Sequence, residues 1–385
     1  MPAIGITDEL KLLIQDETRR AINEKLFPGC VIGIAKPNHK WGLPHDDVFH
    51  ESILSYGSFT YDPHARSMFE NALFDIASIT KTIVAMLALR LVSQGKLSLS
   101  DPVKNYIPEL SGAYTDRAII KDLLTFTIEL DLNEENVDFR KLNRDQIWKI
   151  ITTCGLKEIP GKMHKYRNTT TLFLGKVIEA ITGKKLDEYT EIALFKPLGM
   201  TMTTWNPRKY DLYDIVPTEV DPWRGRCIHG EIHDELSHIF SEANEVIGAA
   251  GIFSTVPDLM KFAKMIVLGG KFGRYDFFEE RSTQKRLMIS NIMRQNNISD
   301  IPGHRYGLGW DKHTLHKEYS RCKCFENEAI LITGFTGCSL RIHAERGYIE
   351  IILSNAVHPK RNKGSLFEFR RTIAHFCTYC SKCNA

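Results

Sequence analysis

The segment Leu73–Thr82, which reads LFDIASITKT, decides both the fold and the chemistry of this 385-residue chain. It begins with a short run of apolar and β-favouring residues, Leu73–Ala77, that predicts a strand. Ser78 then opens an apolar run that ends at Gly95, which is the pattern of a buried helix. Ser78 and Lys81 lie three positions apart, so a hydroxyl and an amine share one face of that helix.

The Ser78–Lys81 pair has the chemistry of a nucleophile and its activating base. An amine taken out of water loses its charge readily and can then accept the serine proton. The helix N-terminus adds free N–H groups and a positive field where an oxyanion would form. The SxxK spacing alone is weak evidence, since it recurs at Ser93, Ser282 and Ser320. Of the four serines, only Ser78 follows an apolar strand and opens an apolar helix.

The composition is that of a soluble, folded chain, with 43% hydrophobic and 25% charged residues. A net charge of +3 gives no reason to expect a nucleic-acid partner. The first thirty residues show no secretory signal, and the longest apolar run, Thr82–Leu89, is too short to cross a bilayer. Nine cysteines, an odd number, favour reduced thiols. We therefore expect a cytoplasmic protein without a membrane partner.

Strand-like segments at both ends and helical patterns between them predict an α/β (α+β) fold. Besides the segment before Ser78, the strand-like segments are Cys30–Ala35, Ser52–Tyr56, Tyr306–Trp310, Ala329–Thr333, Ser339–His343 and Tyr348–Ser354. Helical patterns cover 8–25, 142–153, 169–182, 185–195, 256–268 and 365–376. We expect residues 1–77 together with 303–385 to form a sheet domain and 78–302 a mainly helical lobe, with the active site between them.

A second motif, Tyr166-Arg167-Asn168, is the one Tyr-x-Asn in the chain. A tyrosine near a lysine cation can lose its proton and act as a general base. The Asn168 amide can bond Lys81 on one side and a substrate carbonyl on the other. The alternative is structural, with Tyr166 packed and Asn168 capping a helix that begins near Thr169.

A third motif, TGFTG at residues 333–337, ends a strand-like segment. A strand edge at this point could present the backbone N–H of Phe335 as an oxyanion donor, with the N–H of Ser78 as its partner. The alternative interpretation is a glycine-rich β-turn without a catalytic role.

In this order the motifs resemble those of the serine β-lactamase-like family, on its class C β-lactamase and penicillin-binding esterase/peptidase side. The resemblance covers about residues 10–376. The segments that carry it are FPGCVIGIA, LFDIASITKT, GKLSLSDPVKNYIPEL, FKPLGMTMTTW, HGEIHDE, AAGIFSTVPDLMKFAKMIVLGG, YGLGW, ITGFTG and LSNAVHP. It implies a β-lactamase/transpeptidase-like fold: an antiparallel sheet flanked by the terminal helices, with an inserted all-helical lobe.

The resemblance also implies a role for each residue of the three motifs. Ser78 would be the acylated nucleophile and Lys81 its activating partner. Tyr166 would be the base for acylation and deacylation, and Asn168 an anchor for the substrate and the lysine. The backbone N–H groups of Ser78 and Phe335 would form the oxyanion hole.

The chain departs from the family pattern at three positions near the expected cleft. The substrate-binding segment would be Ile332-Thr333-Gly334, where the family usually has His or Lys in place of Ile332. Phe126 and Ala249 stand where two other family histidines are usual. An apolar residue forfeits the contact of a cation with a substrate carboxylate. We therefore expect a less polar cleft, poorly suited to β-lactams or D-Ala-D-Ala termini.

Two sets of residues could bind a metal in principle. The first set comprises Cys322, Cys324, His375, Cys377, Cys380 and Cys383. The second is His229, His233 and His238, in which Gly230 opposes a continuous helix. Neither has the spacing of a paired CxxC site, so we expect no metal and no cofactor.

The sequence thus predicts a serine hydrolase that acts on a small-molecule ester or amide through an acyl-serine. An acyltransferase on the same scaffold is an alternative, in which an alcohol or amine intercepts the acyl-enzyme. A catalytically silent binding or scaffold protein is another. The oligomeric state does not follow from the sequence.

Overall fold

The secondary structure comes from a computed structural model, which describes residues 6–37, 49–132, 137–278, 306–311, 329–343, 347–361 and 366–377. Its strands are β1 (Gly29–Pro37), β2 (Phe49–Gly57), β3 (Phe74–Asp75), β4 (Val220–Asp221), β5 (Arg226–Cys227), β6 (Phe253–Ser254), β7 (Lys271–Phe272), β8 (Tyr275–Asp276), β9 (Ala329–Thr333), β10 (Ser339–His343) and β11 (Tyr348–Ser354). Its α-helices are α1 (Asp8–Asn23), α2 (Ile79–Ser93), α3 (Ile120–Thr125), α4 (Arg144–Thr153), α5 (Asn168–Thr182), α6 (Leu186–Thr190), α7 (Lys196–Leu198), α8 (Glu235–Glu242), α9 (Val256–Val267) and α10 (Leu366–Cys377).

The main sheet joins the two ends of the chain. Its five strands are antiparallel in the order β2-β1-β11-β10-β9. The first strand pairs with the last along its length, so that Cys30 lies opposite Ser354 and Ala35 opposite Ile349. The predicted fold class, an antiparallel sheet with terminal helices and inserted helices, is confirmed.

The two faces of β1 bury alternate residues, as the two-residue period of a strand requires. Cys30, Ile32 and Ile34 pack with α1 and α10 in one apolar cluster. The opposite face of β1 lies against α9. Helix and strand approach closely there because Gly33 has no side chain: a Cβ at that position would lie 2.4 Å from the Cγ1 of Val256.

Helix α2, which begins inside the segment LFDIASITKT, is a core element. Every residue of it except Arg90 is buried, which is the pattern of a helix surrounded by protein. It packs mainly against α5. Gly95 ends it with a φ of +68°, a left-handed conformation that suits glycine at a helix C-terminus.

Two of the predicted strands are corrected by the structure. The first shrinks to Phe74–Asp75, because the chain turns at Ala77, where φ is +44°. The second, Tyr306–Trp310, is a turn held by a hydrogen bond of 2.8 Å from the Gly307 N–H to the Trp310 carbonyl. The turn includes Gly309 at a φ of +83°, a value that a strand does not allow.

Helices α2 to α9 come from the chain between the two halves of the sheet. The division into a sheet domain (1–77 with 303–385) and a helical lobe (78–302) stays a prediction. Within the described ranges, no helix has both the length and the apolar character needed to span a bilayer.

Candidate active site

The turn before Ser78 holds its backbone in an uncommon conformation. Ala77 has a positive φ of +44°, which is rare for a residue with a side chain. Its N–H donates a hydrogen bond of 2.8 Å to Oδ1 of the buried Asp75. Burial raises the pKa of Asp75, while hydrogen bonds from the backbone of His233 and Ala77 oppose that rise. Backbone strain of this kind clusters at functional sites, because surrounding contacts must maintain it.

Lys81 points its amine at the Ser78 hydroxyl. Its side chain is buried, with 1% of the residue exposed. Nζ donates to Oγ of Ser78 at 3.0 Å and to the carbonyl oxygen of Ala249 at 2.7 Å. Ala249 stands where the resemblance places a histidine, and here its backbone carbonyl holds the lysine. Serine and lysine therefore meet as the i, i+3 spacing predicts.

Tyr166 completes a cluster around the lysine amine. Nζ of Lys81 lies 5.2 Å from the centre of the Tyr166 ring. That ring packs against Phe126 at 5.0 Å and Tyr306 at 5.8 Å between centroids. Phe126 is buried, so an apolar wall stands where the family usually has a histidine. Tyr166 itself stays 36% exposed and can be reached from solvent.

Asn168 bonds a residue other than the one expected. Its Nδ2 donates to Oδ2 of Asp234 at 2.8 Å, whereas the described hydrogen bonds of the Lys81 amine go to Ser78 and Ala249. Among the described residues the Lys81 amine thus has no hydrogen bond to Asn168, and the role of Asn168 as an anchor stays a prediction. The structural alternative fails in part, because α5 begins at Asn168 and its N-cap is Arg167. Asp234 in turn caps α8 by accepting from the Ser237 N–H.

The third motif lies directly against the turn before Ser78, called the nucleophile turn below. Gly334 makes this approach possible, since a Cβ there would lie 2.6 Å from the carbonyl oxygen of Ile76. The hydroxyl of Thr336 donates to the carbonyl oxygen of Asp75 at 2.8 Å. Ile332 is buried with 2% exposed, while Thr333 and Phe335 are exposed. Of the predicted substrate-binding segment, Thr333 is therefore the side chain open to solvent.

The two predicted oxyanion donors are both available. Among the described residues, neither the Ser78 N–H nor the Phe335 N–H has a hydrogen-bond acceptor. The close packing of Gly334 on Ile76 brings the two segments that carry them together. Ser78 is partly exposed and Phe335 is exposed, so both N–H groups are open to an incoming oxygen.

A charged network supports the loop that carries Asp234. Nε2 of His233 lies 2.9 Å from Oε2 of Glu219, and its ring stacks on Phe335 at 5.6 Å. Arg361 also bonds Glu219, at 2.7 Å. Burial would raise the pKa of Glu219, but the hydrogen bonds from Arg361 and His233 outweigh it and lower that pKa overall.

The structure describes the histidine set fully and the cysteine set only in part. Cys322, Cys324, Cys380 and Cys383 lie outside the described residues. Cys377 is buried, and burial raises the pKa of its thiol to about 12. Within the described ranges, no group of three or more histidine, cysteine or acidic residues could hold a metal ion. His229 and His233 flank a loop rather than a helix, with Gly230 at a φ of +67°.

Some residues of the site were missed from the sequence. Asp75 and Thr336 support the turn, Asp234 anchors Asn168, and Tyr306 adds to the aromatic wall. Asp75 had a usable signal, because a lone acid inside the apolar run LFDIASI has to be paired when it is buried. The others come from segments distant in sequence and carry no such signal. A cavity of about 470 Å³ lined by Trp205, His238 and their neighbours includes none of the predicted catalytic residues.

The fold and the serine–lysine pair define a β-lactamase/transpeptidase-like protein. A family model described as Beta-lactamase matches residues 50–374. The chain therefore belongs to the β-lactamase family and is a β-lactamase-related serine hydrolase.

Individual relatives are more distant. A protein of Salmonella agona named "Putative D-alanyl-D-alanine carboxypeptidase" is 26% identical over 315 residues, which cover 74% of this chain and 68% of the relative. The structure of "EstCE1, a hydrolase with promiscuous acyltransferase activity" superposes with a TM-score of 0.72 at 18% identity, covering 96% of this chain and 98% of the other. A β-lactamase/D-alanine carboxypeptidase from Pseudomonas syringae gives 0.69 at 18% identity, with 97% and 99% covered. At such low sequence identities, the similarity to these solved structures supports the fold alone.

Proposed function

We propose that this protein hydrolyses a small ester or amide through an acyl-enzyme on Ser78. The observation that carries the proposal is the hydrogen bond of 3.0 Å between the buried Lys81 amine and the Ser78 hydroxyl. It lies beside two N–H groups, of Ser78 and Phe335, that have no acceptor among the described residues. These contacts support Ser78 as nucleophile, Lys81 as proton acceptor and the two N–H groups as oxyanion donors.

In the acylation step, Oγ of Ser78 attacks the substrate carbonyl and its proton passes to the Lys81–Tyr166 pair. The carbonyl oxygen becomes negative and accepts hydrogen bonds from the N–H groups of Ser78 and Phe335. The bond to the alcohol or amine then breaks, and the leaving group takes up the proton. In the second step water attacks the acyl-serine, the same pair accepts its proton, and the acid leaves as Ser78 regains its hydrogen.

The side chains around Tyr166 and Ile332 favour an uncharged acyl group. Phe126 and Tyr306 are apolar surfaces beside Tyr166, and Ile332 supplies no charge. Arg361 lies 5.5 Å from the Phe335 ring, but its guanidinium is paired with Glu219 and Glu235. Among the described residues that line this side of the site, a substrate carboxylate would therefore lose its water without gaining a free cation. Neutral p-nitrophenyl butyrate should be cleaved with a higher kcat/KM than the p-nitrophenyl monoester of succinate.

The first test is intact mass after exposure to a fluorophosphonate, which phosphonylates activated serines. We expect one adduct on the native protein and none on Ser78→Ala. Ser93→Ala is the matched control, because Ser93 also begins an SxxK sequence but its hydroxyl donates to the Arg90 carbonyl. No adduct on the native protein, together with no acylation by a β-lactam, would refute the proposal and favour the silent scaffold.

Acyl transfer is the second candidate. It is favoured by the apolar wall that Phe126 and Tyr306 form around Tyr166, which disfavours water. Product analysis with p-nitrophenyl butyrate and an added alcohol separates the two. A butyrate ester of the alcohol would support transfer, and butyrate alone would support hydrolysis.

A further inference from the structure

We infer that Asp75 is a positioning residue that holds both halves of the oxyanion hole, an inference that rests on the proposed function of Ser78. The side chain is 2% exposed and sits at the end of β3, three residues before the nucleophile. It touches neither the serine hydroxyl nor the lysine amine. Its carboxylate and its backbone carbonyl each bind a different segment of the site.

The carboxylate sets the nucleophile turn. Oδ1 accepts the N–H of Ala77 at 2.8 Å, and Ala77 has the positive φ that turns the chain from β3 into α2. The peptide between Ala77 and Ser78 carries the Ser78 N–H, so the conformation of Ala77 fixes where that donor points. A side chain in this region of φ is held at a cost, which the bond to Asp75 offsets.

The backbone carbonyl of Asp75 sets the other donor. It accepts the hydroxyl of Thr336 at 2.8 Å, and Thr336 directly follows Phe335. Gly334, on the other side of Phe335, is pressed against Ile76. The residues on both sides of Phe335 therefore contact Asp75 and Ile76, the same short segment that positions Ser78.

The second carboxylate oxygen extends the support to the substrate anchor. Oδ2 of Asp75 accepts the N–H of His233 at 2.8 Å. The next residue, Asp234, holds the amide of Asn168. Asp75 thus connects three parts of the site: its carboxylate binds the turn before Ser78 and the loop that orients Asn168, and its backbone carbonyl binds the third motif. Removing one of the two carboxylate oxygens should displace the Ser78 N–H, which the turn at Ala77 positions, while the rest of the fold stays in place.

The experiment compares labelling rates of Ser78 in two variants and two controls. Asp75→Asn replaces one acceptor oxygen by an NH₂ group that faces a backbone N–H. Thr336→Val removes the hydroxyl that reaches Asp75, and Thr336→Ser keeps it. Asp258→Asn is the matched control, because Asp258 is equally buried and accepts the Met202 N–H at 2.7 Å in a different part of the fold.

We expect Asp75→Asn and Thr336→Val to slow labelling on the order of 10²-fold, the effect of misplacing a reacting group by about 1 Å. Thr336→Ser should restore most of the rate, and Asp258→Asn should label like the native protein at a lower melting temperature. Native-like rates in Asp75→Asn and Thr336→Val would overturn the inference. If Asp75→Asn does not fold, the labelling rates of Thr336→Val and Thr336→Ser alone test the inference.

Crystal structures separate this inference from the proposed function. Asp75→Asn should show Ala77 outside the positive φ region or the peptide before Ser78 rotated. A native conformation of that turn in the variant would overturn the inference, whatever the labelling shows. If the native protein itself is not labelled, the proposed function fails while the structural comparison still decides the role of Asp75.

Discussion

At the scale of single residues, the site depends on contacts that keep a lysine amine and a serine hydroxyl together. Lys81 is almost fully buried, and its amine is held by the carbonyl of Ala249 as well as by Ser78. An amine without water around it needs such acceptors, since unpaired burial is costly. The carbonyl therefore orients the lysine where the side chain of residue 249 is too small to do so.

Tyr166→Phe tests the role of the phenol. We expect kcat/KM for an ester to fall by about 10²- to 10⁴-fold, the usual contribution of a general acid or base. The melting temperature should stay unchanged, because Tyr166 is 36% exposed and the rings of Phe126 and Tyr306 can pack against phenylalanine equally well. Kinetics and thermal unfolding of the same samples check this.

Tyr106→Phe is the control for that variant. It removes a phenol whose hydroxyl donates to Asp101 at 2.7 Å, away from the serine. It should leave kcat/KM unchanged. A Tyr166→Phe variant as active as the native protein would assign proton transfer to Lys81 alone.

At the scale of elements, Glu245 joins two helices. Its carboxylate lies 2.6 Å from the Arg144 guanidinium of α4 and 2.5 Å from the Lys176 amine of α5. Burial would raise the pKa of Glu245, but these two cations outweigh burial and lower that pKa from 4.5. The charged form is therefore favoured by folding, and the contact stabilises the native state above the unfolded pKa.

Glu245→Gln should lower the free energy of unfolding at pH 7 by about 1.5–3 kcal/mol, the value of hydrogen bonds to a charged group. The difference from the native protein should shrink as the pH falls from 4.5 through the lower folded-state pKa, because the carboxylate of the unfolded chain is protonated first and that of the folded protein last. Urea unfolding of both proteins at several pH values measures this difference in the free energy of unfolding. Glu188→Gln, in an exposed pair with Lys184, should change little at any pH. A difference that is constant with pH would exclude the ionic explanation.

The elements that the sequence predicted well are those whose signal is local. Helix α2 matches its predicted range within one residue at each end, because an apolar run between Ser78 and Gly95 has a clear beginning and end. The Ser78–Lys81 contact follows from helix geometry alone. The partner of Asn168 did not follow, because Asp234 is 66 residues away in the chain. Tyr306–Trp310 failed as a strand because glycine geometry overrode a β-favouring composition.

At the scale of the whole molecule, the turn before Ser78 depends on strands from both halves of the main sheet. Strand β9 supplies the third motif, and the sheet that holds β9 contains β1 and β2. Loss of the sheet should therefore abolish the site at once. We expect the temperature at which Ser78 labelling is lost to coincide with the midpoint of unfolding measured by circular dichroism. Labelling that disappears several degrees earlier would show that the site opens locally.

The pairing of β1 with β11 also has a consequence during protein synthesis. Cys30 and Ser354, which lie opposite each other, leave the ribosome 324 residues apart. At a synthesis rate of roughly 5–20 residues per second, the edge of β1 that pairs with β11 stays unpaired for about 15–65 s. An unpaired edge invites pairing with other chains. During this interval the nascent chain has no complete sheet and can aggregate. Chaperones that cover strand edges would therefore determine how much of the protein folds.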